Sequence, residues 1–313
     1  MTDTLQENMK LLKNQINTLK KEKNITLVCH NYVSSEIIDI ADFKGDSLTL
    51  ASIASKIESE KILFVGVDFM AETLKILNPT KRIFVPNILA TCPMANSLSP
   101  EMIQEAKKQY PSTPVVLYVN STAECKAEAD YVCTSGNALE VINNIPSDTI
   151  IFGPDKNLGQ HIEKLSGKKM IYVPGESGFC YVHDKIPGSL VDEVRVVHPN
   201  AKVIVHPECA LEVREKADFI GSTGQMAGII AKDGGECYII GTEVGMLYNL
   251  KEAHPNVTLY ALSPHAMCSN MKKNNLLNIL ATLKSESNEI IVEESLRLKA
   301  KTCIVNMFEM MRS

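Results

Sequence analysis

Pro174-Gly-Glu-Ser-Gly-Phe-Cys-Tyr-Val-His183 carries the cysteine from which the fold can be read. Cys92 lies 88 residues before Cys180, and Cys268 lies 88 residues after it. The other six cysteines, Cys29, Cys125, Cys133, Cys209, Cys237 and Cys303, have no cysteine at that offset in either direction. One cysteine per interval, three times over, marks an internal repeat, and a repeat constrains architecture more tightly than any single element.

Working outward from the three cysteines, each copy opens with an apolar run that reads as a buried strand: Ile25–Cys29, Pro114–Leu117 and Ala201–Val205. Each run ends in polar side chains two residues apart, His30 and Tyr32, Tyr118 and Asn120, His206 and Glu208. Seventeen residues after the first of each pair stand Ser47, Ser135 and Thr223. A helical stretch follows each hydroxyl: Leu48–Ile57, Gly136–Ile145 and Gly224–Ala231. A second apolar run then ends in Gly-x-acid, at Asp68, Asp155 and Glu243. After a second helix, a third strand (Arg82–Val85, Lys169–Val173, Val257–Leu262) stops at Pro86, Pro174 or Pro264, shortly before the spaced cysteine.

Each copy therefore reads as strand–helix–strand–helix–strand. Strands alternating with helices imply a parallel sheet covered on both faces. The fold expected is α/β, with three repeated three-layer α/β/α domains around a pseudo-threefold axis and helices at both ends. The boundaries fall at 1–23 for an N-terminal helix, 24–111, 112–199 and 200–270 for the repeats, and 271–313 for a C-terminal helical segment. In the first helix Leu5, Met9, Leu12, Ile16 and Leu19 recur at three- and four-residue steps. The tail is expected to cap the repeats or to pair with that helix. Ligands bind beyond the carboxyl ends of parallel strands, and that is where the polar pairs, the hydroxyls and the cysteines fall.

Composition narrows the function classes. An apolar share of 45% and a charged share of 22% are those of a globular protein. A net charge of −5 argues against nucleic-acid binding. No apolar run approaches the roughly 18 residues of a membrane span, and the polar N-terminus has no signal-peptide pattern. Nine scattered cysteines point to free or metal-bound thiols in a reducing cytoplasm rather than to a disulfide framework.

A lone cysteine is most often a core residue, but packing alone does not place one in the same post-strand loop of every repeat. Three thiolates favour zinc or an iron–sulfur cluster, and three protein ligands leave a metal position open for substrate. Ser47, Ser135 and Thr223 are helix N-caps on the plainest reading; three hydroxylated helix N-termini also suit an anionic substrate. Asp68, Asp155 and Glu243 read as N-caps too. The strand-end pairs hold plausible acids and bases, and His183, three residues after Cys180, is a further candidate. His198 and His254, in matching His-Pro-Asn turns, are expected at the surface. Cys209 and Cys303 read as packing.

Val28-Cys-His-Asn-Tyr32, Gly45-Asp-Ser47, Thr91-Cys-Pro-Met-Ala-Asn96, Tyr118-Val-Asn120, Thr134-Ser-Gly-Asn137, Gly178-Phe-Cys-Tyr-Val-His183, His206-Pro-Glu-Cys209, Gly221-Ser-Thr-Gly224 and Met267-Cys-Ser-Asn-Met271 together resemble the quinolinate synthases. These are the iron–sulfur enzymes of de novo NAD biosynthesis, and the likeness runs from about Ile25 to Lys273. The resemblance implies condensation of iminoaspartate with dihydroxyacetone phosphate to quinolinate, with loss of phosphate and two waters. It implies a 4Fe–4S cluster on Cys92, Cys180 and Cys268 whose fourth iron is open to substrate. It assigns His30, Ser47, Tyr118, Asn120, Ser135, His206 and Thr223 to carboxylate and phosphate groups, and leaves Tyr32, Glu208 and His183 for proton transfer. A functional link to an L-aspartate-oxidising enzyme would supply the imino acid. The rivals are another three-cysteine Fe–S hydro-lyase acting on a polycarboxylate, a non-catalytic Fe–S redox sensor, and a zinc enzyme.

Overall fold

The structure is a computed structural model, and it describes residues 2–53 and 56–312. The end of the expected helix Leu48–Ile57 falls partly on residues 54 and 55, and the side chain of Leu5 in the first helix is likewise outside the described set.

Twelve strands form three parallel four-stranded sheets. The first contains β1 (Ile25–His30), β2 (Phe43–Gly45), β3 (Lys61–Val65) and β4 (Arg82–Phe84). The second contains β5 (Val115–Tyr118), β6 (Tyr131–Cys133), β7 (Thr149–Gly153) and β8 (Lys169–Tyr172). The third contains β9 (Lys202–Val205), β10 (Phe219–Ile220), β11 (Cys237–Gly241) and β12 (Thr258–Ala261). The spatial orders are β2-β1-β3-β4, β6-β5-β7-β8 and β10-β9-β11-β12, one topology three times. The central strands bury nearly every side chain, as a sheet covered on both faces requires. In each order the chain steps one way from its first strand and the other way from its third. With right-handed crossovers the helices then fall on opposite faces, and the switch point lies between those two strands.

Each sheet holds one strand more than the periodicity predicts. β2, β6 and β10 are two or three residues long, too short for any pattern to show. Each follows an Ala-Asp pair at the 88-residue interval: Asp42, Asp130 and Asp218. The three carboxylates accept from the backbone N–H groups of Leu27, Val115 and Val203, at 2.7, 2.8 and 2.7 Å. The same aspartates donate their own N–H groups back to those residues at 2.9, 3.0 and 2.9 Å. This double clip fixes where the edge strand enters, and so where the following hydroxyl stands.

The chain divides into two compact units. One runs to Cys92 and resumes over Cys268–Glu293; the other spans Pro93–Met267 and takes up the chain again at Glu294. Within the first unit the helix Thr2–Glu22 packs on the helix Leu276–Ser285, the pairing expected of the tail. Residues 288–290 run antiparallel along β4, with Ile290 N–H donating to Ile83 O at 2.7 Å and Val85 N–H to Asn288 O at 3.1 Å, which closes that sheet edge. Within the second unit the helix Glu294–Met310 lies on β6 and on the short helix Ala123–Lys126. No helix among the described residues is long and apolar enough to cross a membrane.

Replacing Asp130 or Asp218 by Ala leaves a strand N–H without its acceptor, which should cost about 1–3 kcal/mol. Thermal denaturation checks this: the midpoint should fall for both variants, and an unchanged midpoint would show that the clip does not hold the edge strand.

Candidate active site

The third-strand loops are tied down identically in all three repeats. The backbone N–H groups of Asp68, Lys156 and Val244, at the starts of the second helices, donate to the carbonyls of Ala90, Gly178 and Ala266 at 3.0, 2.8 and 2.9 Å. Each accepting carbonyl lies two residues before a spaced cysteine. Cys92, Cys180 and Cys268 thus occupy equivalent loops, and all three are half-buried. Cys29, Cys125, Cys133, Cys209 and Cys303 are fully buried instead. Burial pushes the Cys29 and Cys303 thiols up to about 12, and drives Cys133 and Cys209 higher still. A metal-binding thiol must ionise, so these four are disfavoured as ligands; burial raises Cys125 as well. Cys237 is half-buried at the start of β11, away from the strand ends.

Among the described residues, the second unit gathers a close group of titratable side chains. Glu208, just beyond β9, is 3% exposed. Its Oε1 accepts from the Tyr118 hydroxyl at 2.5 Å, and its Oε2 lies 2.8 Å from His183 Nδ1. Burial alone would raise the Glu208 carboxyl. The His206 and His183 imidazoles beside it, with hydrogen bonds from His183 and Tyr118, oppose burial and lower the carboxyl's pKa. These contacts favour the ionised form of Glu208.

The carboxylate can only accept, so His183 Nδ1 carries the proton between them. His183 Nε2 lies 2.8 Å from the Thr242 hydroxyl, and Nδ1 also lies 3.2 Å from Cys180 Sγ. His206 stacks on His183 with ring centroids 4.6 Å apart. The Glu208 backbone N–H donates to His206 Nδ1 at 3.3 Å, which leaves Nε2–H for Ser135 Oγ, also at 3.3 Å. Asp155 caps the helix Lys156–Ser166 through Leu158 N–H at 2.7 Å, and its second oxygen accepts from Cys180 N–H at 3.1 Å. Burial first, and then the Glu208 charge, push the Asp155 carboxyl well above its ordinary value.

One ligating atom from each of Cys180, His183 and Glu208 lies within 4.8 Å of the others, close enough to share a metal ion. Of the residues expected from sequence, Tyr118, Ser135, Cys180, His183, His206 and Glu208 come together here. Asn120 stands half-buried beside them on the β5 exit. Thr223 is 4% exposed at the start of the helix Thr223–Asp233.

In the first unit His30 ends β1, with the Tyr32 backbone N–H donating to its Nδ1 at 3.2 Å, the bond His206 receives in the third repeat. The His30 and Tyr32 rings meet edge to face at 4.7 Å. Ser47 opens the helix Ser47–Ile53. Lys272, four residues after Cys268, donates to the Tyr32 carbonyl at 2.5 Å, and Lys273 donates to Leu89 O, on the Cys92 loop, at 2.7 Å.

Three expectations need correction. Ser47, Ser135 and Thr223 are not the capping residues. Asp46 accepts from Thr49 N–H at 2.8 Å and Ser222 forms a capping box with Gln225, while Asn137 holds the cap position of Ala138–Asn144 without a side-chain cap bond, its Oδ1 accepting from Thr134 N–H at 2.6 Å. The predicted hydroxyls are thus available to other partners, as Ser135 shows. Among the acids, only Asp155 forms a side-chain N-cap; Asp68 is the first helical residue and Glu243 accepts from Gly245 N–H at 2.6 Å. His198 and His254 are half-buried rather than exposed, His198 against the Tyr260 ring and His254 Nε2 3.0 Å from Ala227 O. Sequence reasoning missed Thr242, because the matching positions are Val67 and Pro154 and the repeat gives no signal there.

Parallel sheets that bring a buried carboxylate, two imidazoles, a phenol and a thiol to their carboxyl ends make an α/β protein whose strand-end groups suit acid–base chemistry and could share a metal ion. Residues 14–309 match the family model described as quinolinate synthetase A protein (NadA). Quinolinate synthase of Thermotoga maritima is 52% identical over 297 residues, 95% of this chain and 99% of that protein. Quinolinate synthases of Pyrococcus furiosus and Caldicellulosiruptor bescii are 47% and 44% identical, each over 97% of this chain and 99% of theirs. The chain belongs to the quinolinate synthase family.

Gly178 is the tightest point of the Cys180 loop: a Cβ there would sit 1.9 Å from the Pro154 carbonyl oxygen. Gly178→Ala must displace the loop. Cys180 should alkylate faster with iodoacetamide in the metal-free variant than in the metal-free wild type, and equal rates would show that the close approach does not position the cysteine.

Proposed function

We propose that the protein condenses iminoaspartate with dihydroxyacetone phosphate to form quinolinate, releasing phosphate and two waters. Membership of the family supports the reaction. The observation that carries it to this chain is the buried Glu208 carboxyl, bonded to Tyr118 and His183, beside the half-buried Cys180. Both substrates are anions, and their condensation needs protons taken from carbon and returned to departing hydroxyl groups.

In this reading Cys92, Cys180 and Cys268 hold a 4Fe–4S cluster. Their equivalent loops and half-burial fit thiolate ligation, and the buried cysteines do not. When bound, such a cluster supplies one Lewis-acidic iron that lacks a protein thiolate and turns a hydroxyl into a better leaving group. The protein supplies the rest. Glu208 takes protons as a carboxylate. His183, hydrogen-bonded to it, returns them, with Thr242 fixing the orientation of its ring. Tyr32 is a third proton-transfer group, with its backbone held by Lys272 and by the His30 ring nitrogen. His30, Ser47, Tyr118, Asn120, Ser135, His206 and Thr223 bind the carboxylates and the phosphate. His206 contributes Nε2–H as its donor, because Nδ1 is already engaged. The reaction belongs in a reducing cytoplasm, next to an enzyme that oxidises L-aspartate and so supplies the unstable imino acid.

A mononuclear metal on Cys180, His183 and Glu208 is the alternative with geometry behind it. Metal analysis of anaerobically purified protein separates the two: about four irons per chain are expected, and one zinc would favour the alternative. Cys92→Ala, Cys180→Ala and Cys268→Ala should each abolish the brown chromophore, whereas Cys209→Ser should keep it. A ligand variant that retains a normal chromophore would break the assignment. Glu208→Gln should keep the chromophore and lose about 10²- to 10⁴-fold in kcat; near-normal turnover would remove Glu208 from the mechanism.

A further inference from the structure

Two buried cations stand behind the strand ends, 88 residues apart. Lys126 ends the short helix Ala123–Lys126 and is fully buried. Arg214, in the helix Leu211–Lys216, is 4% exposed. Both lie behind the loops that carry site residues, and neither belongs to the catalytic group described above.

Their hydrogen bonds match across the repeat. Lys126 Nζ donates to the carbonyl of Val119 at 2.9 Å and also to the carbonyl of Ser121. Arg214 Nε donates to the carbonyl of Cys209 at 2.8 Å. Ser121 and Cys209 are themselves repeat equivalents, so cation and acceptor recur together. The matching position in the first repeat is Ile38, so the device is confined to the two repeats of the second unit.

Each cation grips the backbone next to a different functional residue. Lys126 holds the carbonyls on both sides of Asn120. The same turn is tightened by Ser121 Oγ on Tyr118 O at 2.9 Å and by Ser121 N–H on Val119 O at 2.8 Å. The Asn120 side-chain oxygen is buried there with no hydrogen-bond partner among the described residues. A buried polar atom left open in a backbone turn this strongly held is poised for a ligand. Arg214 holds the residue after Glu208, while Asn157 Nδ2 holds the Glu208 carbonyl at 3.1 Å. Burying a cation is costly unless its donors are satisfied, and a neutral residue could fill either space more cheaply.

We propose that Lys126 and Arg214 are paired positioning residues: Lys126 sets Asn120 for binding a substrate carboxylate, and Arg214 sets Glu208 for proton transfer. The inference rests on the reaction proposed above and assigns two structurally equivalent cations to two separable steps. A merely structural role would affect both positions alike. Positioning separates them, because a displaced binding group weakens association while a displaced base slows chemistry.

The test uses the full-length, anaerobically reconstituted protein and its Lys126→Met, Lys126→Arg, Arg214→Met and Arg214→Lys variants. Measured are kcat, KM for iminoaspartate generated in the assay, quinolinate affinity by calorimetry, and iron content. Lys126→Met should raise KM and the quinolinate Kd by about tenfold or more, with kcat within about threefold. Arg214→Met should lower kcat by about tenfold or more, with KM and Kd within about threefold. The charge-conserving exchanges should show the same split at smaller size, and they carry the test if a methionine variant does not fold. Wild-type constants in folded variants, or the same constant moving at both positions, overturn the inference. A wild-type protein that holds its cluster but makes no quinolinate overturns the reaction itself, and this inference with it.

Discussion

One backbone hydrogen bond, made three times, governs what the strand ends can do. The N–H at the start of each second helix takes the carbonyl two residues before a cysteine. That bond holds a loop that would otherwise leave the sheet against the end of the third strand of its order. Half-burial of Cys92, Cys180 and Cys268 follows, and with it the contrast to the deeply buried thiols whose ionisation burial suppresses. Gly178 shows how close the approach is, since no side chain fits between its loop and the Pro154 carbonyl.

The second constraint is electrostatic. A carboxylate as buried as Glu208 would protonate if left alone. Hydrogen bonds from Tyr118 and His183 favour its charged form, and His183 also lies within reach of both Cys180 and Thr242. Asp155 lies close by with the opposite outcome, its carboxyl pushed up by burial and by the Glu208 charge.

Much of this was legible in the sequence. The interval between Cys92, Cys180 and Cys268 implied the repeat, and apolar runs ending in polar pairs placed Tyr118, His206 and Glu208 at strand ends. The resemblance to the quinolinate synthases rested on those same residues. Other features were hidden for physical reasons. β2, β6 and β10 are too short to show a period, although the Ala-Asp pairs before them recur at the repeat interval. Ser47, Ser135 and Thr223 suit helix capping by residue type, and only the fold shows that Asp46, Asn137 and Ser222 stand at the cap positions, with Asp46 and Ser222 making the side-chain cap bonds. Thr242 contacts His183 from a position where the other repeats carry Val67 and Pro154, so periodicity could not mark it. Lys126 and Arg214 stand at the repeat interval but went unread, because their purpose depends on which carbonyls they reach.

The central claim is that three repeat-equivalent cysteines hold one cluster and leave one iron for substrate. Mössbauer spectroscopy of ⁵⁷Fe-reconstituted protein, with and without quinolinate, tests it most directly. One iron in the cluster should give a distinct site whose parameters shift when quinolinate is added, while the other three stay unchanged. A spectrum that does not respond to quinolinate, or one without a distinct iron, would contradict the claim.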